Sequence, residues 1–195
     1  MKMLQIIVCA ALLALPPLAL HMLTSEQTKV PVTQNVEVAF SPDGQAEALV
    51  LKVIRSAKTS IRLAGYTFTS PTVVRTLTDA KKRGIDVAEL VDYSNTSRIL
   101  KMLVSAGIPT RIISAYPIHH DKYIVVDGLH VETGSFNYTI AAARRNSENV
   151  LVVWNNPVVA GQYIAHWQNR WEQGQPYQSS RHTNYHPISD KRLQF

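Results

Sequence analysis

The residues best suited to chemistry lie between His120 and Asn137, where they form the pattern H-x-K-x4-D-x6-G-S-x-N. Histidine ordinarily changes its charge near neutral pH, so His120 can act as a nucleophile or as a proton donor. Lys122 can neutralise a phosphate oxygen, and Ser135 and Asn137 can donate hydrogen bonds to developing charge. Gly134 lets the backbone approach a bound group closely. This combination of groups suits phosphoryl chemistry.

The motif lies on short apolar segments that are typical of β-strands. Lys122 to Val126 forms one predicted strand, and Asp127-Gly128 is a strong hairpin signal that leads into the next strand. Side chains two residues apart on a strand point to the same face, so we expect His120 and Lys122 to lie together. A tight turn accounts for Asp127, and we therefore assign this carboxylate a supporting structural role without direct contact to the substrate.

Strands and helices alternate along the rest of the chain. Apolar runs predict strands that begin at Val36, Ser60, Ile85 and Ile108, helices that end near Ala57, Gly84 and Gly107, a strand over Asn149 to Trp154 and a last helix from Pro157. Strands separated by helices of this length favour parallel pairing. The sequence therefore predicts an α/β single domain with a mixed, largely parallel β-sheet, flanked by helices on both faces.

The length and composition predict one packed unit. The chain has 195 residues, 46% of them hydrophobic, which is enough for one well-packed core but short for two. We expect a leader at residues 1–20, a linker at 21–34, the folded domain at 35–173 and a polar C-terminal tail at 174–195. The whole motif falls inside the expected domain.

The leader has the layout of a secretory signal. Lys2 gives it a positive start, an apolar stretch runs from Leu4 to Leu15, and Pro16-Pro17 ends that stretch. Since the stretch is close to the length of a spanning helix, an uncleaved inner-membrane anchor that faces the periplasm stays open as an alternative. The only cysteine, Cys9, lies in the leader, so a mature chain would have no disulfide. We therefore expect a periplasmic or secreted protein.

Basic residues point to an anionic partner. The formal net charge of +6 suits nucleic acid, although solubility alone also accounts for a charge of this size. Arg144 and Arg145 follow the motif closely and are candidates for contacts with a phosphate backbone. The run Lys81-Lys82-Arg83 ends a predicted helix, where cations balance the helix dipole, so we do not assign it to binding.

The joint spacing of the motif resembles the HKD signature of the phospholipase D superfamily. Its six fixed positions are met here by His120, Lys122, Asp127, Gly134, Ser135 and Asn137. Ser147-Glu148-Asn149-Val150 is similar to the family segment whose glutamate orients the catalytic histidine. No other histidine is followed two residues later by lysine, so the chain has one motif copy. Over about Val36 to Trp171 it resembles the small single-motif nonspecific endonucleases of the bacterial periplasm, the Nuc type.

The resemblance implies hydrolysis of phosphodiester bonds without a metal ion or another cofactor. His120 would attack phosphorus and form a phosphohistidine, which water then resolves. Lys122, Ser135 and Asn137 would stabilise the charge that develops on the phosphate. Glu148 would hold the Nδ1 side of His120 and so fix its tautomer.

The resemblance also implies a homodimer. The family's active site needs two histidines, and a member with one motif copy takes the second from its partner. His120 of the second subunit would then protonate the leaving group near a two-fold axis. DNA is the expected substrate, and RNA is a second candidate.

Three other interpretations stay open. A phospholipid diesterase would perform the same chemistry on a lipid, and we expect contact with a membrane only if the leader is uncleaved. A catalytically silent DNA-binding protein would keep the fold without the reaction. A metal-dependent nuclease would need His119, His120 and Asp121 or Asp127 as ligands, but Lys122 between them would repel a divalent cation.

Overall fold

The computed structural model describes residues 35–42, 45–95 and 98–178. The predicted leader and linker, and residues 179–195 of the predicted tail, lie outside the described residues. The elements are β1 Val36–Ser41, α1 Gln45–Ser56, β2 Ser60–Gly65, α2 Pro71–Lys82, β3 Asp86–Asp92, α3 Arg98–Ser105, β4 Thr110–Ile113, β5 Tyr123–Val126, β6 His130–Gly134, α4 Ile140–Arg144, β7 Glu148–Val153, α5 Pro157–Gln173 and β8 Gln175–Pro176. None of the helices in these ranges is long and apolar enough to cross a membrane.

The strands form one sheet in the order β1-β7-β6-β5-β2-β3-β4-β8. In the described ranges only the pairs β2–β3 and β3–β4 are parallel, and the other pairs are antiparallel. The prediction of a largely parallel sheet is therefore wrong, although the α/β class is confirmed. Parallel pairing is confined to the two strand-helix-strand units of the first half. In the second half β5, β6 and β7 lie side by side in chain order and pair antiparallel, β5 with β6 through a hairpin and β6 with β7 across α4.

Helices cover both faces of the sheet, as predicted. On one face α1, α2 and α3 pack against Leu63, Ile124 and Val152 in the larger of two buried clusters. On the other face α5 packs through Ala160 and Trp167. The indole N–H of Trp167 donates to the carbonyl oxygen of Leu63 at 2.9 Å, which fixes α5 across the middle of the sheet.

Local sequence signals determine where the helices begin. The Ser70 hydroxyl caps α2 by accepting a hydrogen bond from the Val73 N–H at 3.3 Å, and Pro71 occupies the first turn. At α5, the Asn156 side chain accepts from the Val159 N–H at 3.1 Å before Pro157. Both caps have the same local pattern, a polar residue directly before proline.

The segment after α5 adds an edge strand. β8 pairs with β4, and Tyr177 is buried behind it. Gly174 lies at this corner, where there is little room for a side chain. An added Cβ would lie only 3.1 Å from the Arg111 side chain and 3.1 Å from the Leu90 side chain. The expected domain end at residue 173 therefore falls just before the last strand of the sheet.

Two acids are buried in the core, Glu89 on β3 and Glu132 on β6. Glu132 accepts a hydrogen bond from the Tyr138 hydroxyl at 2.8 Å, and burial raises the pKa of Glu132 to about 8. Burial also raises the pKa of Glu89 well above its usual range, and both of its carboxyl oxygens are buried without a hydrogen-bond partner among the described residues. At neutral pH we therefore expect both acids to be mainly protonated.

Candidate active site

The register of the central strands brings the separated parts of the motif to one end of the sheet. Tyr123, the first residue of β5, is opposite both Ala64 near the end of β2 and Thr133 near the end of β6. Gly134 is in turn opposite Val150 near the start of β7. The loop before β5, the residues after β6 and the start of β7 therefore meet at the same edge.

His120 and Lys122 lie in and just after the loop that joins β4 to β5. His120 is exposed, whereas Lys122 is only 7% exposed, and both line an open cavity of about 430 Å³. We call this cavity the His120 groove. The Lys122 ammonium donates to the carbonyl oxygen of His120 at 2.9 Å. An exposed imidazole above a buried cation is an arrangement that can receive a phosphate.

The environment of Lys122 shifts its proton affinity. Burial lowers the pKa of Lys122, and the negative charges of Glu148 and Asp121 partly oppose that shift. Burial therefore disfavours the positive charge on Lys122 when the site is empty. A bound phosphate group would stabilise that charge, so the site favours an anionic ligand.

Tyr66, the residue directly after β2, belongs to the site although the motif does not include it. Its ring lies 4.6 Å from the His120 ring, centroid to centroid, and the Lys122 amine lies 5.2 Å from its centroid. Tyr66 therefore limits where both side chains can move. The available signal was an aromatic residue that directly follows a buried strand at the motif end of the sheet.

The neighbouring histidine has a different role. His119 is buried, and its backbone N–H donates to the Asp92 carboxylate at 2.7 Å. Burial lowers the pKa of His119, while Asp121 and Asp92 oppose that shift. Asp92, at the end of β3, thus anchors the loop that carries the two histidines, with His119 buried and His120 exposed.

Glu148 is engaged within its own chain. One carboxylate oxygen accepts from the Ser135 hydroxyl at 2.6 Å, and the other accepts from the Asn146 amide at 2.9 Å. Neither of these partners is His120, so the orienting role of Glu148 stays a prediction. The Ser135 oxygen in turn accepts from the Asn149 N–H at 3.1 Å. Ser135 is therefore a junction between the end of β6 and the start of β7.

Gly134 lines the His120 groove, but the neighbouring strand also requires it. A Cβ at this position would overlap the carbonyl oxygen of Asn149 on β7. Glycine is thus needed for the approach of two backbones, whereas the sequence suggested an approach of a backbone to a ligand.

Asn137 lies on the loop that packs against the end of β2. Its side-chain oxygen accepts from the Thr67 N–H at 3.4 Å, so the amide nitrogen is the end left to donate toward a ligand. The backbone around it is fixed, because the Tyr138 carbonyl accepts from the N–H groups of Thr69 and Ser70 at 2.9 and 2.8 Å.

Asp127 lies at the opposite end of β5 from Lys122. It occupies the predicted hairpin turn with a φ of 55°, next to Gly128 at 64°. Its carboxylate accepts backbone hydrogen bonds from Lys58, Thr59 and Ser60 at 2.8 to 2.9 Å. Burial alone raises the pKa of Asp127, but these bonds together outweigh it and lower that pKa.

The predicted phosphate-backbone arginines are not among the residues that line the groove. Arg144 ends α4, and its guanidinium lies 3.8 Å from the Glu47 carboxylate on α1, the helix on the face opposite α5. Arg145 is exposed at the end of α4. Their role in binding therefore stays a prediction. Within the described ranges, no three His, Cys, Asp or Glu side chains are grouped so that they could ligate a metal ion.

Comparisons with known proteins agree with this fold and site. Residues 50–171 match the family described as cardiolipin synthase, PLD-like domain. The chain is 32% identical to phospholipase D of Rickettsia bellii over 158 residues, which cover 80% of this chain and 76% of that relative. It is 31% identical to the mitochondrial cardiolipin hydrolase of Xenopus laevis over 160 residues, 75% of each chain.

A solved structure is more similar still. The crystal structure of Nuc from Salmonella typhimurium, a phospholipase D family member, aligns with a TM-score of 0.72 and 49% sequence identity, covering 75% of this chain and 99% of that one. The fold and the His-Lys site together define a phosphodiesterase of the PLD-like class. The chain belongs to the phospholipase D superfamily.

Proposed function

We propose that the chain is an endonuclease that hydrolyses DNA, and RNA as a second substrate, without a metal ion. The observation that carries this proposal is the exposed His120 ring beside the buried Lys122 amine at the mouth of the open groove. An open groove accepts the continuous backbone of a polymer. The net charge of +6 and the 49% identity to Nuc support the same substrate class.

The reaction would proceed in two displacements. The His120 imidazole attacks phosphorus, a new N–P bond forms, and the bond from phosphorus to the leaving sugar oxygen breaks. Lys122 and the Asn137 amide stabilise the negative charge on the non-bridging oxygens. Water then attacks the phosphohistidine and releases His120.

The leaving sugar oxygen needs a proton, and a second histidine would supply it. In the His120 groove the other described histidine is His166, which is already hydrogen-bonded to Asp121 at 2.9 Å. We therefore propose that His120 of a second subunit is the proton donor, at a site shared by two chains. The donor becomes neutral in the first step and regains its proton from the attacking water in the second.

The first test offers plasmid DNA and RNA to the purified protein in excess EDTA, with His120→Ala and His130→Ala variants beside it. We expect cleavage to persist in EDTA and to fall at least about 10⁴-fold in His120→Ala. His130→Ala is the matched control, because His130 begins β6 at the opposite end of the sheet. Full inhibition by EDTA, or full activity of His120→Ala, would contradict the mechanism.

The second test addresses the shared site. Equal amounts of wild-type and His120→Ala chains, refolded together, would form mixed dimers. If both histidines are required, about one quarter of the activity should remain, as only wild-type pairs would work. Independent sites would retain about one half. A result of one half would rule out the shared proton donor without affecting the nucleophile.

A lipid phosphodiester is the rival substrate, because the curated relatives are named phospholipase D and cardiolipin hydrolase. The same assay therefore includes phosphatidylcholine and cardiolipin vesicles. We expect cleavage of nucleic acid to be far faster than release of lipid headgroups. Faster hydrolysis of either vesicle would replace the nuclease proposal by the lipid one.

A further inference from the structure

A second cavity adjoins the His120 groove. It has a volume of about 260 Å³, and its wall includes Tyr116, Ile118, Asp121, His166 and Arg170. We call it the α5 pocket, since two of these residues lie on that helix. His120, Asp121 and His166 line both cavities. A chain bound at His120 can therefore continue from one cavity into the other.

A flat cationic platform forms one side of the α5 pocket. The Arg170 guanidinium lies over the Tyr116 ring, 4.7 Å from its centroid. The Tyr116 hydroxyl donates to the Gln173 side chain at 2.8 Å, which holds the ring along α5. Planar aromatic and guanidinium groups are the surfaces on which nucleic-acid bases stack.

The charge of the pocket also favours a nucleotide. Among the described residues on its wall Asp121 is the only carboxylate, and the His166 ring is hydrogen-bonded to it at 2.9 Å, so this acid already has a partner. Arg170 has no acid within ion-pair distance among the described residues. A phosphate that leaves the His120 groove would therefore meet the Arg170 guanidinium, which no acid neutralises by direct contact.

We propose that the α5 pocket is a subsite for the nucleotide next to the cleaved phosphate, with its base stacked on the Tyr116–Arg170 platform. This inference rests on the proposed nuclease function and adds two binding residues to it, one on α5 and one on the loop between β4 and β5. Tyr116 and Arg170 act here in substrate affinity, and the reacting atoms remain at His120.

The test compares two substrates of the full-length protein. One is a fluorescent single-stranded DNA oligonucleotide, and the other is bis(2,2,2-trifluoroethyl) phosphate, a small diester without a base or any aromatic ring. We expect Arg170→Gln and Tyr116→Leu each to raise KM for the oligonucleotide about 10-fold with little change in kcat. Hydrolysis of the small diester should be unchanged.

Two further variants serve as controls. Arg75→Gln removes the same charge from an exposed position on α2, on the other face of the sheet, and should behave as wild type. Tyr116→Phe keeps the ring and should retain most of the affinity, which separates stacking from the hydrogen bond to Gln173.

The outcomes are distinguishable. If wild type cuts the oligonucleotide but Arg170→Gln and Tyr116→Leu leave its KM unchanged, the subsite is overturned while the nuclease function stands. Equal losses on both substrates would also overturn it, because the two residues would then only support the His120 loop. If vesicles are hydrolysed and the oligonucleotide is not, both proposals fail.

Discussion

The two ends of β5 carry residues of the same motif but use them differently. At one end, His120 is exposed and Lys122 faces an open groove. At the other end, Asp127 is committed to backbone donors of the α1–β2 loop. The motif thus combines an end where we propose that the reaction takes place with a structural end, and one strand of about 13 Å separates them. Changes at the first end should affect rate, and changes at the second should affect stability.

Among the substitutions that would test this difference between the two ends of β5, we expect Lys122→Met to have the largest effect on kcat. Methionine keeps the apolar stem but removes the charge, so kcat should fall about 10²- to 10³-fold. Stability should not fall, because the change removes a buried cation whose pKa burial already lowers. Steady-state kinetics and thermal unfolding of the same samples measure both. A loss of stability with normal kcat would reverse the roles of the two ends.

Asp127→Asn should have the opposite profile. Asparagine tolerates the positive φ of the turn but lacks the charge that accepts the three backbone N–H groups. We expect unfolding free energy to fall by about 2 kcal/mol, with unchanged kcat for the folded fraction. Urea denaturation combined with activity per folded molecule measures this.

The pH dependence gives a sharper form of the same prediction. The folded pKa of Asp127 is lowered, so its stabilising contribution is complete above the unfolded value of 3.8 and is lost as pH falls through the folded pKa. Asparagine does not titrate. The difference in stability between the wild type and Asp127→Asn should therefore shrink in acid and be constant near neutral pH.

The smallest expected effect is that of Glu148→Gln. Glutamine keeps the size of the side chain and can still accept from Ser135, but it loses the charge that would orient a histidine. We expect kcat to fall about 10-fold, with little change in thermal stability. An unchanged rate would assign Glu148 to the β6–β7 junction alone and would move it to the structural group with Asp127.

Much of this arrangement could be predicted from local patterns. The caps at Ser70-Pro71 and the turn at Asp127-Gly128 depend on a few adjacent residues, and the structure has both. Strand direction could not be predicted in the same way, because pairing depends on contacts between distant segments. β1 pairs antiparallel with β7, more than a hundred residues away, and no pattern within either segment specifies that partner.

The same limit applies to the site. The spacing of the motif was enough to select His120 and Lys122. Tyr66 and His166 join them only because β2 and α5 pack beside the motif loop. Such neighbours depend on tertiary packing and have no signature in the spacing of the motif.

Glu132, which is buried in the middle of β6 in the β5–β6 hairpin, makes the stability of the folded protein decrease as the pH becomes alkaline. Its pKa is about 8 in the fold and 4.5 as an ordinary side chain, so the folded chain holds an extra proton between these values. Its contribution to stability is complete below pH 4.5 and is progressively lost as the pH rises from there toward 8. Glu132→Gln would remove the Glu132 part of this pH dependence from a urea-denaturation series, and the part that comes from the buried Glu89 would remain. The folded protein should therefore be less stable at mildly alkaline pH than at mildly acidic pH.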